Sequence, residues 1–152
     1  APTDAPTLLR FIRELAEYER EPDAVEVTAE ILAAQLAETS PPFECLLAEV
    51  GDEPVGFALF FPTYSTWRGR RGLWLEDLWV TPAARGRGVG SSLLAELARI
   101  ARARDCARLE WSVLDWNTLA IRLYETLGAS KMDQWTRWRL EGEALDALAS
   151  NG

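Results

Sequence analysis

Between Thr7 and Tyr18 the apolar residues Leu8, Phe11, Ile12, Leu15 and Tyr18 fall three and four positions apart, the spacing of one helical face, with Asp4 placed to cap it. A second helix is expected from Thr28 to about Glu38, with Thr28 as its cap and Ile31, Leu32 and Leu36 as its apolar face. After Pro41-Pro42, Phe43 to Val50 and Val55 to Thr63 flank the turn Gly51-Asp52-Glu53-Pro54 and read as a β-hairpin. Tyr64 to Gly72 reads as a loop, with Trp67-Arg68-Gly69-Arg70-Arg71 on the surface. Gly72 to Val80 (GLWLEDLWV) is then a strand ended by Thr81-Pro82. Val89 to Arg104 is a helix with Leu93, Leu94, Leu97, Ile100 and Ala101 on one face. A strand from Ala107 to Leu114 follows, then a helix capped by Asn117 that runs through Leu127 and stops at Gly128. Lys131 to Leu140 is expected to close the sheet as a strand before a short terminal helix. The order predicts one α/β domain over residues 1–152, a mixed sheet flanked by helices with at least one right-handed β-α-β crossover.

Composition narrows the chemistry more than the fold. The chain has no histidine, which removes Ser-His-Asp and Cys-His nucleophilic systems and histidine-based metal sites. Its two cysteines, Cys45 and Cys106, lie in apolar strand-like surroundings and read as reduced core residues, so no metal is expected. The net charge of −8 is uneven: residues 1–60 hold 13 acids and 3 arginines, whereas residues 61–152 are nearly balanced. An acidic front repels nucleic acid and suits a cationic ligand, and the arginine-richer remainder suits an anionic one. No apolar run is long enough for a membrane helix and the start lacks the order of a signal peptide, so a cytoplasmic protein without membrane contact is expected.

The candidate chemistry begins at Arg85-Gly86-Arg87-Gly88-Val89-Gly90, between the strand GLWLEDLWV and the helix that opens near Ser91. Alternating glycines let successive backbone N–H groups converge, and the helix adds its free amides and positive dipole end, which together make a diphosphate cradle. A dinucleotide fingerprint is excluded because its third glycine falls at Ser91, and a Walker loop because no Lys-Ser or Lys-Thr follows.

Arg85-x-x-Gly88-x-Gly90, after an apolar strand and before an apolar helix, resembles the acyl-CoA signature of the GNAT acetyltransferases. Three further stretches resemble the diamine (spermidine/spermine) and thialysine acetyltransferase branch: Arg13 to Glu19, Leu75-Glu76-Asp77, and Val113 to Asn117 leading to Leu123-Tyr124 and Leu127-Gly128-Ala129. The resemblance runs from Leu8 to about Leu140. It implies a mostly antiparallel central sheet with a splayed strand pair that binds acyl-CoA, acetyl-CoA as co-substrate, a small-molecule amine as acceptor, and a homodimer. Backbone around Leu78, Trp79 and Val80 would bind the acetyl and pantetheine portion. Arg85, Gly86, Arg87, Gly88, Val89, Gly90 and Ser91 would hold the pyrophosphate. Asn117 and its helix, including Ala120, would contact the pantetheine arm, and Tyr124 would protonate the departing thiolate. Tyr18, Glu19 and Glu76 would line the amine site. Two departures stand out: only Ala1 to Pro6 precede the first helix where the family usually has a strand, and Thr136 occupies a place where the branch tends to carry an acid. The second leaves room for a short, lysine-like amine in place of a long polyamine.

Elementary chemistry fits these roles. Attack of an amine on a thioester creates an oxyanion, an ammonium that must lose a proton and a thiolate that takes one. A strand amide near Leu78 can face the oxyanion, Glu76 is expected on the same strand face two residues earlier, and a phenol can serve the thiolate. In isolation Tyr124, which shares a face with Ala120, Leu123 and Leu127, reads as a core residue, and the resemblance reverses that reading to a catalytic one. Glu76 and Asp77 interrupt an apolar strand, where carboxylates are costly unless used; one is expected to be functional and the other an edge or capping partner. The rival functions are acetylation of a protein N-terminus or lysine, and a CoA-binding module without turnover.

Overall fold

The computed structural model describes residues 1–151 and begins with a 3₁₀ turn, Pro2–Asp4, leading into α1 (Ala5–Tyr18). No strand precedes this helix among the described residues. Helix α2 (Ala29–Leu36) follows, its Thr28 hydroxyl accepting the Ile31 amide at 3.2 Å as the sequence predicts. Asp4 occupies the cap position of α1 but makes no capping bond there.

Four strands come next: β1 (Glu44–Val50), β2 (Glu53–Ser65), β3 (Arg70–Val80) and β4 (Leu109–Trp111), joined in the spatial order β1-β2-β3-β4. The first two pairings are antiparallel; β3 and β4 are parallel, connected through α3 (Val89–Ala103). The segment Tyr64–Gly72, read as a loop, is mostly ladder. Pairing continues outward to Ser65 opposite Arg70, leaving only residues 66–69 as the tip. Polar side chains made this region look irregular, but an antiparallel pair satisfies its backbone regardless of what the exposed side chains are.

Buried residues line the sheet and the helices packed on it. On one face Leu8, Leu9 and Phe11 of α1 pack with Leu32, Phe43, Phe57, Leu59 and Trp79. The Phe11 and Phe57 rings stack at 5.6 Å and both are fully buried, each worth about 1.5–3 kcal/mol in transfer free energy. Phe60, Leu73 and Leu75 are buried outside this cluster, as are Leu93, Leu94, Leu97 and Ala101 of α3, which packs on β2 and β3.

A bulge divides β3. Leu75 pairs with Phe60 and Asp77 with Leu59, so Glu76 is an extra residue with no partner on β2. The insertion flips the strand's phase: Leu75 shares Phe60's face, whereas Asp77 and Trp79 share the face of Leu59 and Phe57, beneath α1. On its other edge β3 pairs with β4 only from Leu73 to Leu75. Beyond the bulge no strand pairs with that edge among the described residues.

The chain divides into two compact units, the first ending at Leu114 and the second beginning at Asp115. The second contains α4 (Thr118–Thr126) and α5 (Gly142–Ala149). Two strand expectations fail. Ala107 to Leu114 shrinks to three residues, and Lys131 to Leu140 forms no strand. A strand needs a ladder partner, and this segment has none within its unit; Trp135 and Trp138 are 68% and 89% exposed.

Candidate active site

Three carboxylates gather where α1 ends and β3 bulges. Asp77 lies in a row across the sheet, opposite Leu59, which itself pairs with Cys45. Burial raises its carboxyl to about 7, and the charges of Glu76 and Glu19 push in the same direction. Glu19, just past the end of α1, is also raised, by burial first and by Glu76 second. These shifts place Glu19, Glu76 and Asp77 within one another's fields, a concentration of negative charge that favours a bound cation. The indole N–H of Trp74 donates to a Glu76 carboxylate oxygen at 2.8 Å.

Glu76 was expected on the same face as Leu78, and the bulge changes this. Leu78 pairs with Ala58 and so points away from the Leu59 side where Asp77 lies, whereas Glu76 reaches back to Trp74, whose partner Phe61 belongs to the Leu59 face. Asp77 is therefore the residue that sequence reasoning left in a subordinate role. Its signal was present, a second acid in an apolar strand, but only the bulge shows that both acids meet Glu19.

An aromatic pair adjoins the cluster. The Tyr18 and Trp79 rings meet at 5.5 Å with a 55° tilt, and the Trp79 indole nitrogen donates to Glu14 at 2.8 Å. Arg85 covers both rings, its guanidinium 4.6 Å from the Trp79 centroid and 5.3 Å from that of Tyr18, while Nε donates to the Val80 carbonyl at 3.1 Å. Its side chain thus turns back toward β3, and the loop beyond it is presented by its backbone.

That loop is built to receive an anion. Gly86 and Gly88 have φ of 77° and 78°, conformations that other residues adopt at a cost. Helix α3 opens at Gly88 without a side-chain cap, and its first turn closes with Ser92 N–H donating to Gly88 O, so the amides of Val89, Gly90 and Ser91 precede the helical ladder. A Cβ built on Gly86 or Gly88 would meet nothing within 4 Å, so the space beside these amides is open. Gly90 differs: its φ is ordinary, and a Cβ there would touch Val80 at 3.8 Å. The open, uncapped amides fit a diphosphate, and the unpaired edge of β3 after the bulge, with Leu78, Trp79 and Val80, offers backbone groups to an extended amide-bearing chain.

The remaining predicted residues belong to the second unit. The Asn117 side chain accepts the Ala120 amide at 3.4 Å and caps α4, as its position in the sequence implies. Tyr124 is partly exposed near the end of α4, where its carbonyl accepts the Ala129 amide across Gly128. Cys45 and Cys106 are free, and burial pushes the Cys45 thiol up to about 12, leaving it protonated and unsuited to nucleophilic attack. Among the described residues no group of three or more His, Cys, Asp or Glu could hold a metal ion, and no helix is long and apolar enough to cross a membrane.

Comparison with known proteins gives the class to which this fold belongs. The profile of the acetyltransferase (GNAT) family matches residues 8–129. The thialysine N-epsilon-acetyltransferase of Sus scrofa is 41% identical, over 96% of this chain and 92% of that protein. A spermidine/spermine N(1)-acetyltransferase-like protein of Homo sapiens is 38% identical over 96% of this chain, which spans only 22% of that longer protein. Among solved structures, an integron cassette protein from the mobile metagenome of V. cholerae superposes with a TM-score of 0.75 at 29% identity, covering 90% of this chain and 86% of the other. The chain belongs to the GNAT family and is an acetyltransferase. Enzymes of this family use acetyl-CoA.

Proposed function

We propose that this enzyme transfers acetyl from acetyl-CoA to a primary amine of a small molecule, a lysine-like amino acid or a diamine, by direct attack within a ternary complex. The observation that carries the substrate class is the meeting of Glu19, Glu76 and Asp77 at the bulge of the strand that leads into the glycine loop. A cluster of that charge suits an ammonium, and Tyr18 beside it offers an aromatic wall. Similarity to thialysine N-epsilon-acetyltransferases points the same way. An open groove for a protein chain has no comparable support.

Acetyl-CoA supplies an activated acyl thioester. The amides of Val89, Gly90 and Ser91, with Arg85, Gly86, Arg87 and Gly88, hold its diphosphate, and the free edge at Leu78, Trp79 and Val80 holds the acyl and pantetheine portion. Asn117 and Ala120 serve the pantetheine arm. The carboxylates draw in the ammonium; Asp77, titrating near 7, and Glu76 accept the proton the amine must shed, directly or through water. Backbone N–H groups past the bulge meet the negative charge that develops on the acyl oxygen. Tyr124 donates a proton at the thiolate. The two units act as one acetyltransferase domain, since the family match crosses their boundary. The enzyme works as a cytoplasmic homodimer.

The test is thiol release from acetyl-CoA across a panel of thialysine, lysine, ornithine, short diamines, spermidine and a lysine-containing peptide. Turnover with the small amines and none with the peptide is expected. Preference for the peptide would overturn the reading.

A further inference from the structure

Glu76 is the least restrained of the three carboxylates. It is the unpaired residue of the bulge, it is exposed, and β4 has already left the neighbouring edge. Two like charges stand close by in Glu19 and Asp77, so electrostatics alone would swing it outward to solvent. What opposes this is a hydrogen bond from two residues back, the Trp74 indole N–H to Glu76 Oε2 at 2.8 Å. Trp74 is itself partly buried and its backbone is held in the ladder opposite Phe61, so the donor rises from a fixed point on the strand. A bond to an ionised acceptor is shorter and stronger than a neutral one, and a rigid indole loses little freedom in making it.

We propose that Trp74 is a positioning residue for amine acetylation: its indole N–H clamps one oxygen of Glu76 so that the other is aimed at the substrate amine. This rests on the assignment of Glu76 to the amine site. Trp74 then acts through Glu76 and not on the substrate, which sets it apart from a residue that merely packs. Its removal frees the carboxylate to rotate, and the penalty falls on the amine and leaves the glycine loop untouched.

A double-mutant cycle tests the proposal, with amine kinetics at saturating acetyl-CoA for wild type, Trp74→Phe, Glu76→Ala and the double variant. Trp74→Phe is expected to lower kcat/KM for the amine about tenfold, the worth of one hydrogen bond to a charged group, with acetyl-CoA affinity unchanged. In the Glu76→Ala background the same change should have no further effect. Trp74→Tyr, which ends in an O–H donor, should retain more amine efficiency than Trp74→Phe, and it covers the case in which phenylalanine is poorly tolerated. Equal and additive losses from Trp74→Phe in both backgrounds, or equal losses for Tyr and Phe, would show that the ring only packs and overturn the proposal. Wild-type amine kinetics in Glu76→Ala alone would instead remove Glu76 from the amine site, and the role of Trp74 with it.

Discussion

The indole nitrogen of Trp79 on β3 donates at 2.8 Å to the carboxylate of Glu14 on α1, 65 positions earlier in the chain. The bond ties the last turn of α1, which leads to Tyr18 and Glu19, to the strand that carries Glu76 and Asp77. Trp79→Phe keeps an aromatic ring but removes the donor and part of the buried indole. Glu14 is partly exposed and retains Arg10 at 3.9 Å, so the lost bond costs about 1 kcal/mol and the cavity adds to it, measured by urea denaturation. A rise in amine KM should accompany it, since the carboxylate at the end of α1 loses its register. Unchanged stability would show that water replaces the indole at no cost.

The glycine loop separates two roles for glycine. Gly88 needs its left-handed conformation, but Gly90 does not, so a side chain at Gly90 tests ligand approach without straining the free protein. Wild type with acetyl-CoA at one hundred times its dissociation constant should gain about 2.7 kcal/mol. Gly90→Val is expected to lose most of that gain in a thermal-shift titration while its unliganded melting temperature stays close to wild type. A full ligand shift in the variant would move the diphosphate away from α3.

Much of this site is legible in the chain because it is local. The glycine loop, the helix after it and the cap at Asn117 depend on residues within a few positions of one another, and the structure forms them at their expected places. What the chain hides is set by register. The bulge at Glu76 leaves no mark in the apolar pattern, yet it reverses the phase of β3, separates Glu76 from the face of Leu78 and makes Asp77 a partner of Glu19. Lys131 to Leu140 misleads for the opposite reason: it is expected to close the sheet, but a strand exists only where another can pair with it.

Asp77 should make stability depend on pH. Its folded-state carboxyl titrates near 7, well above the ordinary range, so its protonated form favours the folded protein. The contribution is complete below about pH 4 and is lost as pH rises through about 7; Glu19, raised for similar reasons, works in the same direction. Asp77→Asn removes the main titration. Urea midpoints should therefore show the variant gaining on wild type between pH 5 and pH 8, whereas parallel profiles would mean that Asp77 is solvated.

Tyr124→Phe separates a proton donor from a core ring. The partly exposed site on α4 accommodates phenylalanine, so the melting temperature should hold. Turnover at saturating amine and acetyl-CoA should fall by about 10²–10⁴, the usual worth of general acid catalysis. Wild-type turnover would make Tyr124 a packing residue.

The carboxylates at the β3 bulge are proposed to hold and deprotonate the acceptor amine. Glu76→Gln tests this role most directly, because the amide keeps the size of the side chain and an acceptor for the Trp74 indole while removing the charge. The measurement is kcat/KM for thialysine and for a short diamine from pH 6 to pH 9.5, beside the dissociation constant of acetyl-CoA. A loss of about tenfold or more is expected at neutral pH, shrinking toward high pH as the amine arrives already deprotonated, with acetyl-CoA affinity unchanged. Normal amine kinetics together with weakened acetyl-CoA binding would contradict it.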